Sequence, residues 1–189
     1  MATIHQDWSD FLNALLSENT KFLLIGAHAL AFHVEARLTE DLDVFVEPSA
    51  ENAVRVLRAL ERFGFGGLIA DASELAAPDQ VFMLGLKPWR IDILTGIDGV
   101  SFSEAWQTRE QANFHGIELF IIGRDALLKN KRASARKKDL VDVALLEESD
   151  IDKVLLASRG ALVLEQRVPP DDKQFDAVEV CLLPRLPCF

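Results

Sequence analysis

Asp41 and Asp43 stand one residue apart in Asp41-Leu42-Asp43-Val44-Phe45-Val46, a short run whose composition suits a β-strand. On a strand, residues two apart share a face. Two carboxylates side by side repel each other unless something positive lies between them, and Mg²⁺ prefers such oxygen ligands. Taken alone, Asp-x-Asp is more simply a solvated strand edge. Here Leu42, Val44 and Val46 form one face, and Phe45 joins the two aspartates on the other, so the acidic face is not simply open to water. Asp92 lies among apolar residues in Trp89-Arg90-Ile91-Asp92-Ile93-Leu94. A carboxylate in that setting is costly to bury unless paired with a cation. If the two strands are neighbours, Asp41, Asp43 and Asp92 form a cluster. It suits one or two metal ions that activate a hydroxyl and steady a phosphate leaving group. The plainer alternative for Asp92 is a pair with Arg90 at a strand edge.

Gly26 follows the apolar run Phe22-Leu23-Leu24-Ile25 and precedes an Ala- and Leu-rich stretch. A glycine between a buried strand and a helix lets backbone N–H groups approach an anion, though a tight turn explains it equally well. Residues 129–138 hold six of the chain's twenty basic residues: Lys129, Lys131, Arg132, Arg136, Lys137 and Lys138. One reading is a positive wall that receives a triphosphate opposite the carboxylates. The other is a solvated helix end whose charges favour the C-terminal dipole. Lys129 or Lys131 is expected to face the cleft, with Lys129 favoured because helical spacing aligns it with Arg132 and Ala133. Lys137 and Lys138 are expected to be solvated. Arg37 and Thr39 could orient a carboxylate, meet a phosphate or fix the loop. His28 and His33 lack the i, i+4 spacing of a helical metal pair.

The elements that must place these residues are legible in part. Asp7 to Glu18 has helical spacing, with Trp8, Phe11, Leu12, Leu15 and Leu16 on one face. Phe22 to Ile25 and Leu42 to Val46 read as strands, and Ala27 to Val34 as a helix. Ala50 to Phe63 is a strong helix between an N-cap at Ser49 and a stop at Gly64. Val81 to Leu86 and Trp89 to Thr95 read as a hairpin. Phe102 to Arg109 suggests a short helix, Ile117 to Ile122 a strand, and Asp125 to Ala133 and Lys138 to Glu148 two helices. Residues Phe65 to Pro78 give no clear pattern. From Val168 the chain is aperiodic and holds four of its seven prolines. The expectation is a 1–150 domain of α/β (α+β) class, a mixed sheet flanked by helices, with a partly irregular extension over 151–189.

The chain has 189 residues, 49% hydrophobic and 26% charged, which is ordinary globular composition. Thirty acidic against twenty basic residues give a formal charge of −10. That argues against general binding to nucleic-acid backbone and against a polybasic grip on anionic lipid. No apolar run approaches the ~20 residues that span a bilayer. Met1 to Asp10 lacks the basic start and apolar core of a signal peptide. Cys181 and Cys188 are the only cysteines and make no disulfide framework, so the expected location is a reducing cytoplasm.

Ile25-Gly26-Ala27, thirteen residues, then Asp41-Leu42-Asp43-Val44 resembles the signature of the polymerase-beta-type nucleotidyltransferase superfamily. The wider pattern is Arg37-x-Thr39-x-Asp41-x-Asp43, then Arg90-Ile91-Asp92-Ile93-Leu94. Lys129-Asn130-Lys131-Arg132-Ala133 and Arg136-Lys137-Lys138-Asp139-Leu140-x-Asp142 complete it. It resembles a bacterial branch of small stand-alone proteins, some from toxin–antitoxin and abortive-infection loci, over roughly Phe22 to Glu148. The resemblance implies a nucleotidyltransferase-like mixed sheet. It makes Asp41 and Asp43 metal ligands, Asp92 a third ligand or the base, and Gly26 a phosphate contact. Ala27 stands where the family has a second Gly or Ser, so its backbone N–H can donate but no hydroxyl is available. Arg37, Thr39, Lys129 and Lys131 would serve the nucleotide. The implied activity is Mg²⁺-dependent transfer of a nucleoside monophosphate from an NTP to a hydroxyl on a protein, RNA or small molecule, releasing pyrophosphate. A toxin–antitoxin partner protein is a further implication. Two alternatives stay open: a non-catalytic, antitoxin-like binding protein on the same fold, and a metal-dependent phosphohydrolase.

Overall fold

The computed structural model describes residues 5–34 and 39–149. All of them fall within the unit Met1–Asp152. Arg37 and the extension expected over 151–189, with Cys181 and Cys188, lie outside the described residues. The elements run α1 (Gln6–Ser17), β1 (Phe22–Leu24), α2 (Gly26–His33), β2 (Asp41–Val46), α3 (Ala50–Phe63), α4 (Ala72–Ala76) and β3 (Val81–Leu84). There follow β4 (Arg90–Leu94), α5 (Phe102–Gln107), β5 (Glu110–Phe114), β6 (Ile117–Ile121) and α6 (Arg124–Ser134). A further helix, α7, covers residues 137–149.

The strands form one six-stranded sheet in the order β3-β4-β2-β1-β6-β5. β2 runs parallel to β4 and β1 parallel to β6, while the remaining neighbours are antiparallel. The fold is therefore mixed α/β, a mixed sheet flanked by helices, as the sequence predicts. Among the described residues no helix is long and apolar enough to cross a membrane.

The core follows from the alternation on the central strands. Leu42 and Val44 of β2 sit beside Ile91 and Ile93 of β4 in register, and all four are buried. On the opposite face Phe45 is buried too, its ring edge-on to Phe102 of α5 at 5.1 Å. That contact closes one end of the acidic face and leaves Asp41 and Asp43 at the other. α1 adds Trp8, Phe11, Leu12 and Leu15 to the core.

Two elements escape sequence reading. β5 buries only Ala112 strongly, because it is an edge strand with nothing beyond it to cover its other side chains. It pairs with β6 through a turn at His115 and Gly116, both in the left-handed region at φ 52° and 94°. Positive φ at both central residues is what a tight hairpin turn requires. α4 is too short to show a period, but it carries a capping box between Asp71 and Glu74.

α3 is tied to the sheet by a buried polar side chain. Asn52, 1% exposed, accepts from the Lys21 N–H at 2.8 Å and donates to the Lys21 and Glu47 carbonyls at 3.0 and 3.1 Å. Ser49 caps the same turn, and Gly64 ends the helix at φ 92°. Asn52→Ala would leave the Lys21 N–H without a partner and remove one of two donors from each of the Lys21 and Glu47 carbonyls, where β1 begins and β2 ends. It is expected to cost about 2 kcal/mol, the scale of leaving buried polar groups unpaired, measured as a lower urea midpoint at unchanged slope.

Candidate functional site

The register between β2 and β4 builds the site. Asp43 lies directly opposite Asp92, and Asp41 opposite Arg90. Partners in register share a face, so the structure brings Asp41, Asp43, Asp92 and Arg90 together on one side of the sheet. The Arg90 Nε and Nη2 groups donate to the two Asp92 oxygens at 2.7 and 2.8 Å. Nη2 also lies 3.2 Å from Asp41 Oδ2. The other Asp41 oxygen, Oδ1, is buried and has no hydrogen-bond partner among the described residues. The Asp92–Arg90 pair that the sequence left open is therefore present, but it sits within the carboxylate group rather than apart from it.

Asp43 bears the strain of this arrangement. Burial pushes its carboxyl above the ordinary range, and the charges of Asp92 and Asp41 push it further, against weaker opposition from Lys138 and Lys131. Gly26 leaves room for it. Gly26 adopts φ +67°, and a Cβ there would fall 2.0 Å from Asp43 Oδ2. The Ile25 N–H donates to the Asp43 carbonyl at 3.0 Å, which holds the end of β1 against this carboxylate. The glycine thus serves first as space for Asp43. Ala27 is buried behind it. Thr39 fixes the start of β2: the Asp41 N–H reaches its hydroxyl at 3.4 Å, and the hydroxyl faces the Asp41 carbonyl at 3.3 Å.

His28 packs its ring edge-on against Trp8 and Phe114 at 5.1 Å each. Burial, then the charge of His115, lower its pKa to about 4 against a weaker opposing pull from the Asp41 backbone, so at neutral pH it is uncharged. His33 bonds the Ile122 carbonyl at 2.9 Å.

The basic run is placed differently from expectation. Lys129 leaves the site and pairs with Glu104 at the surface, 2.6 Å away. Lys131 is the inward residue, 6% exposed, with its Nζ 2.9 Å from both Asp139 and Asp142, which are themselves fully buried. Asp139 also accepts from Ser134 at 2.7 Å and from Arg136 at 2.7 Å. Burial opposes its ionisation, but the bonds from Ser134, Lys131 and Arg136 prevail and lower its pKa to about 2. Lys138 is exposed, as expected, and also lines the cleft and acts on Asp43. The turn expected between the two helices falls at Ala135, in the left-handed region at φ 50°, which ends α6 and lets α7 start at 137. Lys131 and Arg132 therefore sit at a C-terminus, where the helix dipole favours cations. Lys137 and Lys138 sit at an N-terminus, where it disfavours them.

These groups line a cleft of about 860 Å³. Asp41, Asp43, Arg90 and Asp92 form its floor, and Lys131, Arg136 and Lys138 stand along it with Asp139. Gly26, Ala27 and Thr39 border it, as do Asp79, Asp98 and Glu40, which sequence reasoning missed and which no motif marks. Among the described residues, no three His, Cys, Asp or Glu side chains are grouped to hold a metal ion. Two carboxylates nevertheless fit a divalent cation. Asp41 Oδ1 is buried without a donor among the described residues, and Asp43 is crowded by like charge. Mg²⁺ commonly takes only one or two carboxylates and completes its shell with water and phosphate.

No family model matches the chain, and no curated protein matches its sequence. Similar solved structures include the antibiotic-resistance factor ANT(2'')-Ia, at 15% identity and TM-score 0.49 over 85% of this chain and 94% of that one. Another is the lincosamide antibiotic adenylyltransferase LnuA with lincomycin bound, at 11% and 0.46 over 78% and 98%. A third is an antigenic nucleotidyltransferase-like protein from Paracoccidioides brasiliensis, at 14% and 0.42 over 74% of each chain.

The two aspartates Asp43 and Asp139 carry opposite pH signatures. A raised carboxyl destabilises the fold wherever the unfolded group is ionised. Asp43→Asn is therefore expected to raise the metal-free Tm by a few degrees at pH 7, with the gain fading as pH falls from the raised folded value toward the ordinary carboxyl value of 3.8 and absent below it. A lowered carboxyl does the reverse. The contribution of Asp139 is complete above 3.8 and is lost as pH falls through about 2. Asp139→Asn should lower Tm at pH 7 and lose that effect in acid. Melts of both variants from pH 7 to pH 2 check the two signs.

Proposed function

We propose that this chain is a Mg²⁺-dependent nucleotidyltransferase that moves a nucleoside monophosphate from an NTP to a hydroxyl acceptor. The observation that carries the reading is the pairing, in one cleft, of a three-carboxylate floor with a basic flank of Arg136 and Lys138, held in place by the buried Lys131 cluster. A triphosphate needs cations along its length and carboxylates at its reacting end only if a metal ion lies between.

Asp41 and Asp43 are the residues that would hold the cation, through the unpartnered Asp41 Oδ1 and the crowded Asp43 carboxylate. When bound, the cation neutralises charge on the phosphates and on the leaving pyrophosphate. Lys138 and Arg136 bind and orient the phosphates. The α7 N-terminus beside them favours an anion for the same electrostatic reason that it disfavours lysine. In the reaction the acceptor oxygen bonds to the α-phosphorus, the bond from that phosphorus to the bridging oxygen breaks, and pyrophosphate departs. Asp92 is assigned the acceptor's proton, which requires its oxygens to be freed from Arg90. Gly26 keeps the wall open for Asp43, and the Ala27 backbone borders the phosphates. The acceptor is a protein, RNA or small molecule carrying a hydroxyl.

A second reading has one observation in its favour. With both Asp92 oxygens hydrogen-bonded to Arg90, the third carboxylate is tied into an ion pair, which suits a binding protein of the same fold, antitoxin-like and docked to a partner protein. Incubation with each α-labelled NTP, Mg²⁺ and cell lysate separates the two. Transfer of label to an acceptor, abolished in Asp43→Asn, supports the enzyme; no transfer with any NTP supports the binding protein.

The basic flank gives a quantitative check. Lys138→Ala is expected to weaken NTP binding by about 1.5–3 kcal/mol, the range of a hydrogen bond to a charged group. Lys129→Ala, whose side chain belongs to Glu104, should change it by less than about 0.5 kcal/mol. Titration calorimetry with a non-hydrolysable NTP and Mg²⁺ gives both values, and equal losses would remove the flank from the site.

A further inference from the structure

The carboxylate floor already contains a cation. Arg90 spans β4 and β2, fork to fork with Asp92 at 2.7 and 2.8 Å and 3.2 Å from Asp41 Oδ2. Three oxygens of two carboxylates are thereby committed to one guanidinium. Each Asp92 oxygen has one lone pair engaged by that guanidinium, and its positive charge beside them opposes a second cation at the same carboxylate. We propose that Arg90 gates this site: it stands between Asp41 and Asp92, where a divalent cation held by Asp41 and Asp43 would recruit Asp92, weakens the binding of free Mg²⁺ by its charge, and is drawn away by the phosphates of an arriving nucleotide. Metal and nucleotide therefore bind as a pair. The proposal rests on the nucleotidyltransferase reading for the identity of the arriving anion.

Three features of the structure support it. The first is register. Arg90 is opposite Asp41 and two residues before Asp92, so the guanidinium reaches both carboxylates from a fixed backbone, without help from a loop. The second is partial exposure. The side chain is 25% exposed and lines the cleft, so it can turn into the cleft without disturbing β4. The third is what the guanidinium leaves undone. It serves Asp41 Oδ2 and both Asp92 oxygens, but Asp41 Oδ1 has no partner among the described residues and Asp43 stays crowded by its neighbours. A single positive charge tethered to β4 neutralises the floor only in part.

Competition follows from charge and shape. Free Mg²⁺ at Asp41 and Asp43 meets the guanidinium's charge beside it and reaches Asp92 only by breaking a bidentate pair, which leaves the displaced arginine no new partner. A nucleotide supplies one, because phosphate oxygens match the planar fork as carboxylate oxygens do. Displacement that costs free metal a partner is thus compensated when the phosphates arrive with it. Linkage then requires each ligand to tighten the other by the same factor.

Calorimetric titration of the full chain with Mg²⁺, alone and with non-hydrolysable analogues of the four NTPs in turn, tests this for wild type, Arg90→Gln, Arg90→Lys and the double variant Arg90→Gln/Asp43→Asn. Wild type is expected to bind Mg²⁺ weakly alone and about tenfold more tightly with nucleotide. Arg90→Gln should bind Mg²⁺ alone about tenfold more tightly than wild type, with the nucleotide coupling reduced to about twofold. The double variant should lose that gain, which ties it to the floor. Arg90→Lys keeps the charge without the fork, so it should fall between; it reports the same effect should the glutamine variant not fold. Equal Mg²⁺ affinity in wild type and both Arg90 variants, with coupling intact, would overturn the gate and leave the nucleotidyltransferase reading standing. An Asp43-dependent Mg²⁺ gain in Arg90→Gln, with no nucleotide bound by any variant, would uphold Arg90 as the group that weakens free Mg²⁺ binding. It would overturn the nucleotide-transfer reading instead.

Discussion

The parallel pairing of β2 with β4 puts like charges on one face of a sheet, and the structure around it is largely arranged to tolerate them. A shift of one residue would send Asp92 to the apolar face of Ile91 and Ile93, so the register is enforced by the core itself. Leu42, Val44, Ile91 and Ile93 decide the pairing by burial. The carboxylates on the reverse side inherit their positions. Their repulsion is met in three local ways: Arg90 across two of them, a glycine where a side chain would crowd Asp43, and cations on α6 and α7.

The Lys131 cluster is the second electrostatic element, and its logic differs. One buried lysine against two buried aspartates, with Arg136 and Ser134 on the first of them, leaves little uncompensated charge. Such a cluster is weak evidence for stability, because desolvation offsets much of the attraction. Its geometric effect is clearer. Lys131 is on α6 and both aspartates are on α7, so the pair fixes one helix against the other across the break at Ala135. Arg136 lies in that break, held by Asp139, and Lys138 follows directly at the start of α7. The cluster therefore positions the two cations that border the cleft while giving up Lys131 to do so.

Much of this was readable from residue order. The alternation of β2 and the isoleucines around Asp92 marked both strands and the face their carboxylates share, because burial imposes a period that survives in sequence. α3 was legible to its ends, since Ser49 and Gly64 are chemical signals rather than packing outcomes. β5 was not, because an edge strand with one buried alanine has no period to display. Arg90 was visible as a neighbour of Asp92, but its second contact, with Asp41, depends on which strand lies alongside β4. Asp79 and Asp98 border the cleft through loops, and loop placement leaves no trace in spacing.

Spacing located the break in the basic run but misplaced one member. Asp125 to Ala133 and Lys138 to Glu148 read as two helices, and spacing within the first aligned Lys129 with Arg132; the structure turns Lys131 inward instead, where Asp139 and Asp142 of α7 pair with it. The chain turns at Ala135 in a left-handed conformation, a position with no glycine to announce it. That turn restarts the helical phase. It also reverses the electrostatics, since Lys131 and Arg132 end a helix whereas Lys137 and Lys138 begin one. Cations at a helix N-terminus lose about 0.3–1 kcal/mol relative to the opposite end. Asp139, in the same first turn, carries the sign that the terminus favours, and its buried contacts are satisfied. Lys137 and Lys138 do not share that compensation. A lysine at the end that its own helix disfavours, beside a crowded carboxylate and at the rim of a cleft, adds positive potential where the helix terminus already favours an anion.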